Sequence, residues 1–295
     1  MVPAFWRALF FPSPKFVPFM TPMTRPQKRE IPYWLLAAIL GAVIVLWSII
    51  ADQGYQTIFF ALSKGVTTTL YVTLVAFTFS VALATFVVLA RISPSRILRE
   101  FATFYIEIVR GIPMLVLLFY IAFVGAPWFV DFFNWMMNPF IEMGLFGKMT
   151  VRGFDFTWRA IIALTISYSA FIAEIFRAGI EAVDRGQVEA AKALGLSPWR
   201  TFRLVVAPQA FKLILPPMGN ELVAMIKDSA LVSVLGVQDI TQLGKVYSAS
   251  TFKFFETYNV VAFLYLVMTI SLSLVVRWLE SVLGRSIRDS DRHRR

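Results

Sequence analysis

The chain has 295 residues, 58% of them hydrophobic and only 16% charged, with a mean hydropathy of +0.69. That balance excludes a soluble globular domain and marks a polytopic membrane protein, for which the bilayer supplies the apolar solvent. The net charge of +10 invites a nucleic-acid partner, but its distribution reports topology instead. There is no Cys, and the one His is His293. Disulfides, thiolate metal sites, Cys nucleophiles and a Ser-His-Asp triad are thereby excluded, and a catalytic zinc site is disfavoured.

Residues 1–31 combine six prolines with several Phe and with Arg7, Lys15, Arg25, Lys28 and Arg29. This mixture predicts a cytoplasmic arm rather than a regular helix. The apolar run Ile31 to Ile50 is long enough to span about 30 Å. Ile49-Ile50-Ala51 offers no small-x-small cleavage site, so the run reads as an uncleaved first span followed by an external loop, together residues 32–64. A second span is predicted over Val66 to Ala90, ended by the basic turn Arg91-Ile92-Ser93-Pro94-Ser95-Arg96. A third runs from Phe101 to Gly125, with a kink at Arg110-Gly111-Ile112-Pro113.

Residues 126–157 read as a longer external loop carrying Trp128, Phe129 and Trp135. Gly147-Lys148 there mimics a phosphate loop, but Glu142 and Met149 stand where Gly and Ser or Thr are required, so no Walker motif exists. Trp158 to Ile180 is the fourth span, Pro217 to Val237 the fifth and Tyr258 to Leu279 the sixth, with Trp278 as an interfacial anchor. Residues 284–295 form a short basic tail. No internal repeat or low-complexity segment is evident. The expected fold class is thus all-α with six transmembrane helices and a main membrane domain over residues 65–283.

With the N-terminus inside, the arm, the 91–100 loop, the 177–217 segment and the C-terminal stretch gather most of the 28 Lys and Arg. Only Lys64, Lys148, Arg152, Arg159, Lys245 and Lys253 fall outside, while Arg110 and Lys227 lie within spans. This positive-inside bias places both termini and the 185–217 segment in the cytoplasm. Basic charge here reports topology, and no nucleic-acid partner is expected.

The segment Arg185 to Pro217 is the longest polar-punctuated stretch between apolar runs. It predicts a short helix over Gln187 to Leu194, with Val188, Ala191 and Leu194 on one face, ended by Gly195 in the left-handed conformation. Ser197 then serves as N-cap and Pro198 as first residue of a second helix. That helix is expected to stop near Ala207, because the residue before Pro208 is driven away from α geometry. At roughly 12 and 14 Å, neither piece can cross a bilayer.

Glu189-Ala190-Ala191, with Gly195 six residues after Glu189 and with Val205-x-Ala207-Pro208, resembles the EAA loop of ABC-importer permeases. Gly186-Gln187 before the Glu, Pro216-Pro217-x-Gly219-Asn220-Glu221 and Ile226-Lys227-Asp228-Ser229 resemble the polar amino-acid permease branch of that family. Tyr105-Ile106-Glu107, Arg110-Gly111-Ile112-Pro113 and Ala173-Glu174-Ile175-x-Arg177 fit the same branch, and the likeness covers roughly residues 65–283. Ala207, Ile112, Leu117 and Ala230 depart from the branch, standing where Leu, Thr, Gln and Ser are usual or common.

The resemblance implies a permease that pairs with a second permease chain, identical or related. A separate ATPase would bind the EAA loop and carry ATP-Mg, so this chain would bind no cofactor of its own. An external solute-binding protein would deliver an amino acid. Gly186, Gln187, Glu189, Ala190, Ala191, Gly195 and Pro208 would form the coupling loop. An interfacial helix lying on lipid is the plainer reading of the same loop.

Ionisable groups inside spans cost roughly 2.5–3.5 kcal/mol each, so they mark a pathway or a paired contact. Glu221 and Asp228 are seven apart and share a helix face, whereas Lys227 points about 100° away and needs a partner beyond its own helix. These three are expected to line or gate a translocation path, with buried ion pairing as the alternative. Glu107/Arg110 and Glu174/Arg177 have the i,i+3 spacing of structural pairs. Two rivals remain open: an ABC permease for an opine or compatible solute, and an ion-gradient-driven transporter.

Overall fold

The computed structural model describes residues 33–292; the arm over residues 1–31 and the end of the tail lie outside the described residues. The chain divides into two units, residues 1–41 and 42–295. The described part of the first is helical. All regular structure described in the second is helical too.

Helix α1 (Tyr33–Ala51) is apolar on every side. A single residue, Asp52, separates it from α2 (Gln53–Arg91), and the Asp52 carboxylate accepts from the backbone N–H of Gly54 at 2.6 Å and Tyr55 at 3.2 Å. This N-cap satisfies amides that an abrupt helix start would orphan. Residues 53–64, expected as loop, are therefore helix. Ile58 and Leu62, one turn apart and fully buried, are the signal that marks it.

At 39 residues and about 58 Å, α2 packs against two sets of partners along its length. Its first half packs with α11 (Ile240–Thr251) and α12 (Phe254–Arg292) around Ile58, Leu62, Ile240, Val260 and Val261. Gly65 permits this: an added Cβ would lie 2.5 Å from the Ile240 nitrogen. Its second half packs on α7 (Phe156–Glu181) through the small residues Ala76, Ser80 and Ala84. Small residues let helices approach closely where no hydrophobic effect drives them together. Ser80 donates to the Thr165 carbonyl at 3.3 Å across that contact.

Among the described residues, four stretches are long and apolar enough to cross a membrane: Gln53–Arg91, Met114–Met136, Phe156–Glu181 and Phe254–Val282. Ile39–Ala51 is a shorter apolar helix. The third expected span is displaced. Helix α3 (Arg96–Gly111) ends where Ile112 is extended (φ −94°, ψ 129°), as a residue before proline prefers, and α4 (Met114–Tyr120) begins afresh after Pro113. The expected kink is a full break.

The expected 126–157 loop is also corrected. From α4 the helix continues through a π-helical turn, Ile121–Gly125, into α5 (Ala126–Met136), and α6 (Asn138–Glu142) follows. Pro127 does not end the helix because the π turn widens it beside the ring. That turn sends the Ala126 N–H to the Ile121 carbonyl, and Pro127 has no N–H to offer the Ala122 carbonyl. Arg159 fills the gap. It is buried at 5% exposure, and its guanidinium donates to Ala122 O at 2.9 Å, to Phe154 O at 2.8 Å and to Val151 O, flanked by the rings of Phe154 and Phe156.

The same device recurs after α8 (Arg185–Ala193) and α9 (Pro198–Thr201). A π turn over Phe202–Val206 leads into α10 (Ala207–Asp228), so the helix passes Pro208 instead of stopping at Ala207. Pro216 and Pro217, expected at the start of a span, lie inside α10. A 3₁₀ turn, Ser229–Leu235, and Gly236 at φ +83° then lead to α11. Helix α12 has a continuous backbone to Arg292, so much of the expected tail is helical.

Candidate functional site

Two regions gather the expected site residues. The first is the loop carrying α8 and α9. Asp184 caps α8 by accepting from Gln187 N at 3.1 Å, and Gly186 leaves room for that carboxylate, since a Cβ there would meet Asp184 Oδ1 at 3.0 Å. The helix ends in a Schellman motif: Leu196 N–H bonds Ala191 O at 3.1 Å and Gly195 N–H bonds Lys192 O at 2.9 Å. Gly195 sits at φ +76°, where a Cβ would be strained. Ser197 accepts from Arg200 N and Pro198 opens α9, both as expected.

Of α8, only Ala191 is buried; Val188 is half-buried against Val183, Val206, Ala210 and Ile214. Gln187, Glu189 and Ala190 are exposed, and so are Leu194 at 82% and Trp199 at 68%. The outer face of the loop thus offers small, charged and large apolar groups together. Gln209, which sequence reasoning missed, donates through Nε2 to Gln187 Oε1 at 2.6 Å and to Val205 O at 2.9 Å. It ties α8 to the π turn beside Pro208.

The second region lies halfway along α7. Tyr168 donates its hydroxyl to Asp228 Oδ2 at 2.7 Å, at the end of α10. One turn on, the ring of Phe171 lies 6.4 Å from that of Tyr168 and carries the Arg110 guanidinium 5.4 Å from its centroid. Arg110 opens the break Gly111-Ile112-Pro113. Tyr168 and Phe171 are about 18–22 Å from the Phe156 end of α7 at 1.5 Å per residue. Both interruptions of helical structure, after α3 and after α10, therefore converge on the middle of α7. Broken helices at membrane depth are tolerated only where they are buried in protein or line a cavity, and there they commonly bind solutes.

The expected residues sort as follows. Glu221 and Asp228 are half-buried, while Lys227 is exposed and has no ion pair among the described residues. Glu174 and Arg177 do pair, with N–O distances of 2.7 and 3.0 Å; Arg177 also binds Glu181 at 2.6 Å and Arg91 lies 3.9 Å from Glu174. Glu107 and Arg110, expected to neutralise each other, form no ion pair; both side chains are exposed, and Arg110 rests on Phe171 instead. Tyr168 was overlooked because a lone Tyr within an apolar run reads as lipid-facing. Its flanking Ser167 and Ser169, both buried, are the available hint.

A third polar cluster anchors α11. Asp239 is fully buried and accepts from Gln242 N at 2.8 Å and from the Tyr265 hydroxyl at 3.1 Å, and Thr241 bonds Tyr265 at 2.9 Å. It caps a helix that starts in the protein interior.

Residues 85–289 match the family of binding-protein-dependent transport system inner membrane components. The chain is 35% identical over 218 residues to the probable glutamine ABC transporter permease protein GlnM of Bacillus subtilis, covering 74% of this chain and 91% of that one. It is 32% identical over 219 residues to the glutamine transport system permease protein GlnP of Escherichia coli K12, with coverages of 74% and 91%. Among solved structures it is similar to an amino acid ABC transporter crystallised with histidines, at a TM-score of 0.64, 35% identity, and coverages of 79% and 97%. The MetNI methionine transporter in an inward-facing form shares the fold at a TM-score of 0.57 and 19% identity, over 76% of this chain and 96% of that one. With its spans and this match to most of its length, the chain belongs to the inner membrane components of binding-protein-dependent transport systems, a multi-pass membrane subunit and not an enzyme.

Proposed function

We propose that this chain is the permease subunit of an ABC importer that carries a polar amino acid into the cytoplasm by alternating access. The observation that carries the reading is the convergence of two helix breaks on Tyr168 and Phe171, joined through α10 to the α8–α9 loop. A separate ATPase subunit docks on the exposed face of α8, using Glu189, Ala190 and the glycine-fixed angle at Gly195. A second permease chain, identical or related, covers the face on which Lys227 is exposed, because charge facing lipid at that depth costs about 2.5–3.5 kcal/mol per group. An external solute-binding protein delivers the cargo. The relatives named for glutamine and amino acids support this substrate class.

Two further crossings, α1 and α10, complete six spans with both termini in the cytoplasm. Helix α10 bears Lys212, Glu221, Lys227 and Asp228, which makes it too polar to stand out as a span by composition. At the mid-depth site, Glu221 and Asp228 offer anionic contacts and Lys227 and Arg110 cationic ones, matching the two charges of an amino-acid zwitterion. The test is uptake of labelled glutamine, histidine and arginine into proteoliposomes holding this chain with its ATPase and binding protein. Asp228→Asn and Lys227→Met are expected to abolish most uptake and the solute-stimulated ATPase. Unchanged uptake in both variants would remove the path assignment. Gradient-driven uptake without any ATPase would remove the importer reading.

A further inference from the structure

Helix α3 faces three environments. Ala102, Ile106 and Val109 are buried, and Tyr105 reaches across to α7, bonding Ser169 at 2.7 Å and Ile166 O at 3.0 Å. Ile97, Phe101, Phe104 and Ile108 follow at i, i+4, i+7 and i+11 and are exposed, a stripe suited to lipid. The remaining side holds Arg96, Arg99, Glu100, Thr103, Glu107 and Arg110, again at helical spacing; five are exposed and Thr103 is half-buried. Over the 14 residues between Arg96 and Arg110 this polar stripe runs about 21 Å.

The two ends of the stripe meet features already described. At the Arg96 end it opens on a cleft of about 560 Å³ lined by Arg91, Arg99, Glu100, Thr103, Arg177 and Glu181. At the Arg110 end it reaches the Gly111-Ile112-Pro113 break beside Phe171, Tyr168 and Asp228. Glu107 and Arg110 are not paired, so facing hydrocarbon would cost each about 2.5–3.5 kcal/mol. Such a stripe is stable against water.

We propose that the polar stripe of α3 is the water-lined inner half of the solute path, leading from the mid-depth site to the cleft at Arg91 and Arg177. This rests on the importer reading above. The order Arg96, Arg99, Glu100, Glu107, Arg110 mixes both signs along the way. A dipolar solute finds a counter-charge for its carboxylate and its ammonium at each step, without a single deep well that would hold it.

The absence of Cys makes the test direct. Single substitutions Glu100→Cys and Glu107→Cys on the stripe, and Phe104→Cys and Ile108→Cys on the lipid side, are made in the intact complex with its ATPase and binding protein. A membrane-impermeant cationic thiosulfonate is applied to inside-out vesicles. The stripe positions are expected to react at least about tenfold faster, the difference made by one unit of thiol pKa between a wet and an apolar setting. Stripe rates no faster than those of Phe104→Cys and Ile108→Cys would overturn the proposal. So would a stripe that reacts only after detergent separates the subunits, which would mean that a partner helix covers it. Labelling needs no turnover. A labelled stripe in a complex that takes up no amino acid would sink the proposed cargo and leave the path; an unlabelled stripe in a complex that does would sink the path alone.

Discussion

The two Ala-Pro turns make an instructive pair. Ile121–Gly125 before Ala126-Pro127 and Phe202–Val206 before Ala207-Pro208 solve one problem in one way: a π turn sends the alanine N–H five residues back, and the proline ring fits into the widened helix. Each leaves one carbonyl without its backbone donor, Ala122 O in the first and Arg203 O in the second. They differ in what replaces it. At the first turn Arg159, buried and flanked by two aromatic rings, donates to Ala122 O and locks the helix to the start of α7. At the second, Arg203 is exposed and no described side chain donates to its carbonyl, while Gln209 links the adjacent Val205 carbonyl to Gln187 of α8. One turn is stapled and the other is not, and the unstapled one lies between the α8–α9 loop and the Tyr168–Asp228 contact.

The largest effect should come from removing the staple. Arg159→Met leaves three carbonyls without donors and is expected to cost about 3 kcal/mol, at roughly 1 kcal/mol or more for each unsatisfied group. A clear fall in the unfolding temperature of the detergent-solubilised complex would show it. Arg159→Lys should recover only part, because one ammonium lacks the planar fork. An unchanged unfolding temperature in Arg159→Met would dissolve the contrast.

Next in size is the rigid joint beside the unstapled turn. Gly195→Val places a β-branched residue at φ +76°, costing about 1–2 kcal/mol in the left-handed region. Because α8 buries little, the whole chain should still fold, and the expected loss is in solute-stimulated ATPase activity, measured at matched expression.

The smallest effects sharpen the comparison itself. Pro208→Ala returns an N–H to an unstapled turn, which should stabilise the helix by about 1 kcal/mol and slow uptake by stiffening the link. Pro127→Ala offers a donor where Arg159 already serves Ala122 O, so stability should move by less than about 0.5 kcal/mol with uptake unchanged. Equal responses at the two prolines would show that the turns are not functionally different.

Local signals were read well where the chemistry is local. Gly195, the Ser197-Pro198 start and the polar character of the 185–217 loop each depend on residues within one turn, so their conformations follow from neighbours in the chain. Pro208, read as a helix stop, was misread for the opposite reason. The helix passes it on a π turn, as it passes Pro127, and the carbonyl that Pro127 leaves open is filled by a donor 37 residues away. The spacing of Glu107 and Arg110 permitted a pair that Phe171 pre-empted, whereas the same spacing in Glu174 and Arg177 was realised with Glu181 and Arg91 around it.

By itself the sequence determined the membrane class, the excess of basic residues on one side of the expected spans, the EAA-like loop and the charges placed within apolar runs. These follow from composition and from motifs of a few residues, because lipid demands long apolar helices wherever the chain crosses. Only the tertiary structure decided where the helices break, which charges pair, and that Tyr168 and Phe171 bring Asp228 and Arg110 to one depth. Those outcomes depend on hydrogen bonds and ring contacts between residues about 60 positions apart, and no local pattern encodes which distant group will fill an orphaned carbonyl or carboxylate.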